Sequence, residues 1–294
     1  MKRHSGSLTI IPAMELTEGA GVTVHRTIGT PAMRHLDPFM LLDHISSNDP
    51  DEYIAGFPSH PHRGFNTFTY MIDGHMEHKD SMGNTGKLGP GDAQWMKAAS
   101  GVIHSEMPQQ EHGLLRGFQL WINLPAVNKM EAPEYQEYNA KAFPVVDEGD
   151  YRVKVIVGHY GEISSPIIDD LTKVTYLDLQ INSNGVFNYP LATGNNSMLY
   201  LFEGTATVNG THVDTHSLVV FDKDVDKIEI KAESSAARLL LMSGSPINES
   251  VVQYGPFVMN TRDEIDQAMH DFRTNNFVRD RAWVNRNKQK GETT

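Results

Sequence analysis

The run Thr175-Tyr176-Leu177-Asp178-Leu179-Gln180-Ile181 decides the class of fold. Thr175, Leu177, Leu179 and Ile181 alternate with Tyr176, Asp178 and Gln180, the period of two that sends successive side chains to opposite faces of a strand. The same period recurs outward in both directions. Phe118, Leu120, Ile122 and Leu124 alternate with Gln119, Trp121 and Asn123, and Val153, Val155 and Val157 with Lys154 and Ile156. Shorter strand-like runs cover 65–72, 198–202, 205–208, 217–221, 227–231 and 238–242. Asp73-Gly74, Glu203-Gly204 and Asn209-Gly210 punctuate them as turns, and Asn-Gly between alternating runs is a strong hairpin signal. Many short strands at this spacing predict an all-β protein of sandwiches or barrels.

One helix is expected near the end. Thr261-Arg262-Asp263-Glu264 reads as a capping box, and Ile265, Ala268, Met269 and Phe272 follow as one apolar stripe. The strand patterns fall into two clusters, joined by a proline-rich, charged stretch at 125–150 that reads as a connection with a helical turn. A length of 294 residues also suits two domains. The expected division is an N-terminal domain over 1–135 and a C-terminal domain over 136–294, the latter carrying the helix and a basic tail.

Charge and composition narrow the function. Lys and Arg number 25 against 37 Asp and Glu, a net charge of −12, which disfavours direct binding to nucleic-acid phosphates. The absence of cysteine excludes disulfides, thiolate metal sites and cysteine nucleophiles. No stretch approaches the ~20 apolar residues of a membrane helix. The apolar run at 8–11 is too short for a signal peptide, so the expected location is the cytoplasm, or the nucleus too in a eukaryotic source. The Asn-x-Ser/Thr matches at Asn195, Asn209 and Asn248 read as turn asparagines, and the tail at 275–294 as a solvated terminus.

Histidine is the outlier, with ten of the 14 in the first 112 residues. His60-Pro61-His62 places two imidazoles two positions apart, on one face of a strand. Pro61 suits a strand start or edge. His104-Ser105-Glu106 repeats the spacing with an imidazole and a carboxylate. On neighbouring strands these pairs deliver three nitrogens and one oxygen to one centre, a set suited to iron, manganese, nickel, cobalt, copper or zinc. The remaining histidines carry less signal. His75 and His78 flank a turn and are expected in solvent; His212 and His216, four apart in strand-like sequence, form at most a weak surface site; His159 and His270 have structural or solvent roles.

Several of these stretches together resemble the pirin family of the cupin superfamily. They are Gly56-Phe57-Pro58-Ser59-His60-Pro61-His62-Arg63-Gly64-Phe65, then Pro90-Gly91-Asp92-Ala93-Gln94-Trp95-Met96, then Gly101-Val102-Ile103-His104-Ser105-Glu106-Met107-Pro108. Leu36-Asp37-Pro38-Phe39 and Gly255-Pro256-Phe257-Val258-Met259-Asn260-Thr261 extend the likeness over nearly the whole chain. The resemblance implies two cupin-type antiparallel β-barrel (jelly-roll) domains, metal-binding in the N-terminal one and metal-free in the C-terminal one. It implies that His60, His62, His104 and Glu106 are the metal ligands, with Fe(II) the expected ion. Where the general cupin pattern has a glutamate four residues after His-x-His, this chain has Asn66, and the charge comes from Glu106 instead.

Two functions follow from the resemblance. One is a quercetin 2,3-dioxygenase activity on a flavonol-like aromatic substrate, with Glu106 as general base. The other is regulation through protein partners, as a transcription cofactor or a modulator of metabolic enzymes, with the metal's redox state altering the binding surface.

Overall fold

The computed structural model describes residues 3–5 and 7–279. Strands dominate, and Arg262–Arg273 is the α-helix among the described residues. The first jelly-roll sets a seven-stranded sheet against a four-stranded one. The large sheet runs in the order Glu134–Tyr138, Ala93–Lys97, Phe65–Asp73, Leu115–Asn123, Phe39–Ser47, Val22–Ile28, Met14–Glu18. The small one is Phe57–His62, Val102–Pro108, Met76–Asp80, Thr85–Leu88. The second jelly-roll repeats this plan with an eight-stranded sheet, centred on Asn196–Glu203, Ala237–Gly244 and Thr175–Ile181, over a four-stranded one. The ladders pair antiparallel and do not close into barrels, so each domain is a pair of facing sheets. Asn209-Gly210 is the expected tight turn: both residues have positive φ, 47° and 76°, as a type I′ hairpin requires.

Chain ends cross between the halves. Leu8–Pro12 pairs with Ser217–Phe221 in the eight-stranded sheet. The stretch at 125–150 is more than a connection: Glu134–Tyr138 pairs with Ala93–Lys97 of the first large sheet, and Val145–Asp147 with Tyr151–Val157 of the second. Two single 3-10 turns, Ala126–Asn128 and Ala140–Ala142, supply the helical character expected there.

Both faces of the central strands of the large sheets are largely buried, which gives the period-two pattern its meaning. Leu177, Leu179 and Ile181 pack inside the second domain with Phe187, Ile228 and Ile230. Tyr176, on the opposite face, packs with Phe68, Tyr70 and Phe118 of the first domain in a core shared by the two halves. A polar clasp runs through it: Tyr70 donates to Asp178 at 2.7 Å, and Arg238 donates to both oxygens of Asp178 at 3.0 and 2.7 Å. In the first domain Phe118, Leu120 and Ile122 face this shared core, so Gln119 and Trp121 point the other way, into the cavity between the facing sheets. The polar side of that strand is the inside of the cup.

The C-terminal helix is capped as expected, with Thr261 and Glu264 exchanging hydrogen bonds of 3.3 and 2.8 Å. Ile265 and Ala268 are fully buried against Phe257 and Phe277. Phe272, expected to complete the stripe, is 41% exposed. Asp271 turns inward instead and accepts from Arg63 Nη1 at 2.7 Å. Arg63, itself buried, also donates to the Ser100 carbonyl at 2.6 Å. Buried Lys129 donates to the carbonyls of Gly64 and Val258 and to Asn123 Oδ1 at 2.6, 2.8 and 2.5 Å. Gly64 is obligatory at this junction, because its φ is +93° and a Cβ would lie 1.9 Å from the Val258 oxygen. The C-terminal segment is thus bolted to the strand end that carries His62. Beyond Arg279, which donates to Asp271 at 2.5 Å, the basic tail lies outside the described residues.

Candidate metal centre

Phe57–His62 is the edge strand of the small sheet, where Pro61 costs no ladder hydrogen bond. It pairs with Val102–Pro108 so that His60 lies directly across from His104 and His62 across from Val102. The register then slips between His104 and Glu106, a bulge that breaks the ladder beside the carboxylate. Ring nitrogens of His60, His62 and His104 gather within 4.8 Å of one another, and His60 Nε2 stands 3.0 Å from His62 Nε2. Two nitrogens at ~2.1 Å from one ion and ~90° apart would be about 3.0 Å from each other, so this spacing suits shared coordination.

The hydrogen bonds around the trio point the same way. His60 Nδ1 lies 2.8 Å from the Pro58 carbonyl, which holds its proton there and leaves Nε2 a lone pair. His104 Nε2 is buried with no hydrogen-bond partner. Burial, followed by the proximity of neighbouring histidines, pushes His62 and His104 well below the ordinary imidazole range, in His62 against the opposing effect of the Pro256 carbonyl. Neutral imidazoles and an unpartnered buried lone pair are what a metal requires, and the residues fit one.

Glu106 does not join the trio at that distance. Its carboxylate lies within 4.8 Å of nitrogens of His104 and His78. Thr69 Oγ1 donates to Oε1 at 3.0 Å, and Gln119 Nε2 to Oε2 at 2.9 Å. Both donors come from the large sheet, Thr69 from Phe65–Asp73 and Gln119 from Leu115–Asn123. Asn66 is buried on the first of these strands, its Oδ1 without a partner.

The site opens on a cavity of about 1010 Å³. Trp121, Phe57, Met40 and Met71 supply apolar wall, and Trp121 stands edge-on to His62 at 5.1 Å between ring centres. Arg26 crosses the cavity wall, gripping Asp43 through two bonds of 2.7 Å and Glu18 through a third of 2.7 Å. Val251 and Pro256 add lining from the C-terminal segment.

Two expectations are corrected. His78 is not in solvent; it is fully buried, its Nε2 3.2 Å from Asp80 and its Nδ1 2.9 Å from Gln94 and 3.3 Å from His104. Only His75, in the turn itself, is exposed. The spacing of His78-Lys79-Asp80 repeats that of the two candidate ligand pairs, but spacing alone does not give the depth of the strand. His212 and His216 do not share a strand face. His212 is exposed in Thr211–Val213 and bonds Glu233 and Asp214, whereas His216 sits at φ +59° with its ring 4.2 Å from that of His25.

Comparison with known proteins agrees with this architecture in order along the chain. Residues 21–122 match the family model described as Pirin, and residues 176–278 the one described as Pirin C-terminal cupin domain. A pirin-like protein of Caulobacter vibrioides is 43% identical over 92% of this chain and 98% of its own. The crystal structure of a quercetin 2,3-dioxygenase from Acinetobacter baumannii superposes with a TM-score of 0.85 at 31% identity, covering 94% of this chain and 98% of that one. The Escherichia coli pirin YhhW, solved in complex with nickel(II), shares the fold at 19% identity with a TM-score of 0.65, over 81% of this chain and 99% of its own. With both cupin domains matched and the likeness running nearly end to end, the chain belongs to the pirin family.

Proposed function

We propose that the protein is a metal-dependent dioxygenase that cleaves a flavonol-like substrate of the quercetin type, its ion held by His60, His62, His104 and Glu106. The observation that carries this reading is the convergence of the histidine trio beside a cavity that His60, His62 and Glu106 line and that is large enough for a fused aromatic ligand. When bound, a divalent transition metal, iron(II) first among those the donor set suits, supplies Lewis acidity toward a substrate hydroxyl and electron exchange with dioxygen.

The chain's own groups do the rest. Glu106 takes the proton of the substrate's acidic hydroxyl at its carboxylate. Thr69 and Gln119 orient that carboxylate from the large sheet, each donating one hydrogen bond to a different oxygen. Trp121 and Phe57 bound the cavity with flat aromatic surface that orients a planar ligand and excludes water. The Arg26–Asp43–Glu18 cluster, one guanidinium held between two carboxylates, offers polar edges to ring hydroxyls and leaves an excess of negative charge.

Iron-loaded protein mixed with quercetin under air is expected to consume dioxygen and release carbon monoxide in equal amounts. Absence of turnover with iron, manganese, cobalt, nickel, copper and zinc would refute the reading.

A further inference from the structure

Behind the proposed ligand His104 runs a buried line of polar side chains, Asp80–His78–His104. Asp80 is locked in place: its Oδ1 accepts from the backbone of Met82 and Asn84 at 2.9 and 3.0 Å, and its Oδ2 from the Asn84 side chain at 2.8 Å. The same Oδ2 lies 3.2 Å from His78 Nε2. A carboxylate only accepts, so His78 must carry its proton on Nε2. Gln94 Nε2 stands 2.9 Å from His78 Nδ1, a donor that calls for a lone pair on that atom, and the same atom is 3.3 Å from His104 Nδ1. Two bare nitrogens cannot face each other without loss, so His104 carries its proton on Nδ1. Gln94 Nε2 and His104 Nδ1 thus share the one lone pair of His78 Nδ1, His104 from the longer distance. Tyr135 stacks on the His78 ring at 4.9 Å and fixes its plane.

We infer that His78 and Asp80 are positioning residues that set the tautomer of His104, so that its Nε2 presents a lone pair to the metal. The inference rests on the reading of His104 as a ligand. It accounts for a buried His104 Nε2 with no partner and for a fully buried histidine that is not itself in the trio. It also assigns the short His78-Lys79-Asp80 stretch a task. Unaided, imidazole in water favours the other tautomer, with its proton on Nε2, so a ligand that binds through Nε2 gains from a device that reverses this preference. Partners of this kind typically change metal affinity 10–100-fold.

Nitrogen-15 NMR of the full-length, chelator-treated protein reads the tautomer directly, and calorimetric titration with Ni(II) or Zn(II) reads its consequence. His104 is expected to be protonated on Nδ1 in the wild type. His78→Phe keeps the stacked ring but removes the acceptor, and is expected to lose 10–100-fold in metal affinity while His104 shifts its proton toward Nε2. His78→Asn, which returns a carbonyl acceptor, is expected to recover most of that loss. Wild-type His104 protonated on Nε2 would overturn the inference without any variant having to fold. So would His78→Phe binding metal as tightly as the wild type. If the wild type binds no metal at the trio, the ligand reading fails instead, and the tautomer measurement still decides whether the line from Asp80 exists.

Discussion

At the scale of single residues, replacing His60 by Ala removes one of three converging nitrogens while leaving a half-buried edge position that tolerates truncation. Metal affinity is expected to fall by at least tenfold in calorimetric titration, with the melting temperature of the metal-free protein nearly unchanged. Glu106→Gln keeps the shape and the Thr69 contact but removes the charge. It is expected to retain metal on the histidines and to lose turnover by 100-fold or more, about the range of a positioned general base. These ligand candidates were legible because two positions apart on a strand means one face, whatever the fold around it. His78 was not, because its spacing from His75 says nothing of how deep the strand lies, and the layer of strands covering it comes from residues distant in sequence. Thr69 and Gln119 were hidden for the same reason: their contacts with Glu106 span 37 and 13 positions.

At the scale of elements, the C-terminal helix separates what a local pattern reveals from what packing decides. Its cap and its buried Ile265 and Ala268 were readable from spacing alone. Phe272 reads as core but is exposed, since the helix rotates to bring Asp271 onto Arg63. Phe272→Ala is therefore expected to cost well under 1 kcal/mol, about what a surface change costs, and Ile265→Ala about 2–5 kcal/mol, both by urea unfolding. Asp271→Ala strands a buried guanidinium one residue from His62, and about 3–5 kcal/mol is expected for breaking such a pair. The alternation at Phe118–Leu124 likewise identified a strand, but not that its apolar side serves the interface between domains and its polar side the cavity.

At the scale of the whole molecule, one hydrophobic core is shared by the two halves, and a histidine buried in it ties stability to pH. His44 is buried at this interface, stacked on Phe118 at 4.5 Å, its Nδ1 3.2 Å from the Tyr200 hydroxyl of the other half. Burial, and then the nearby His216, His25 and Arg116, hold it well below the ordinary imidazole value of 6.5. Between its lowered folded value and 6.5 the unfolded chain binds the proton that the folded chain refuses. The contribution is therefore fully present above pH 6.5 and is lost as the pH falls below it, by at most about 1.4 kcal/mol per pH unit. Urea unfolding from pH 7 to 5 is expected to show a shallower decline in His44→Gln than in the wild type; identical slopes would contradict this. Two β domains were legible from the clustering of strands, whereas the crossing of Leu8–Pro12 into the second sheet was not, since nothing local distinguishes partner strands that lie some two hundred residues apart.

The most direct test of the account is an anomalous diffraction map of metal-loaded crystals collected at the absorption edge of the bound ion. One peak is expected in the first domain, about 2.0–2.3 Å from a nitrogen of each of His60, His62 and His104, with Glu106 as the fourth ligand. A peak seated between His78 and His104, one elsewhere in the chain, or none at full loading would contradict it.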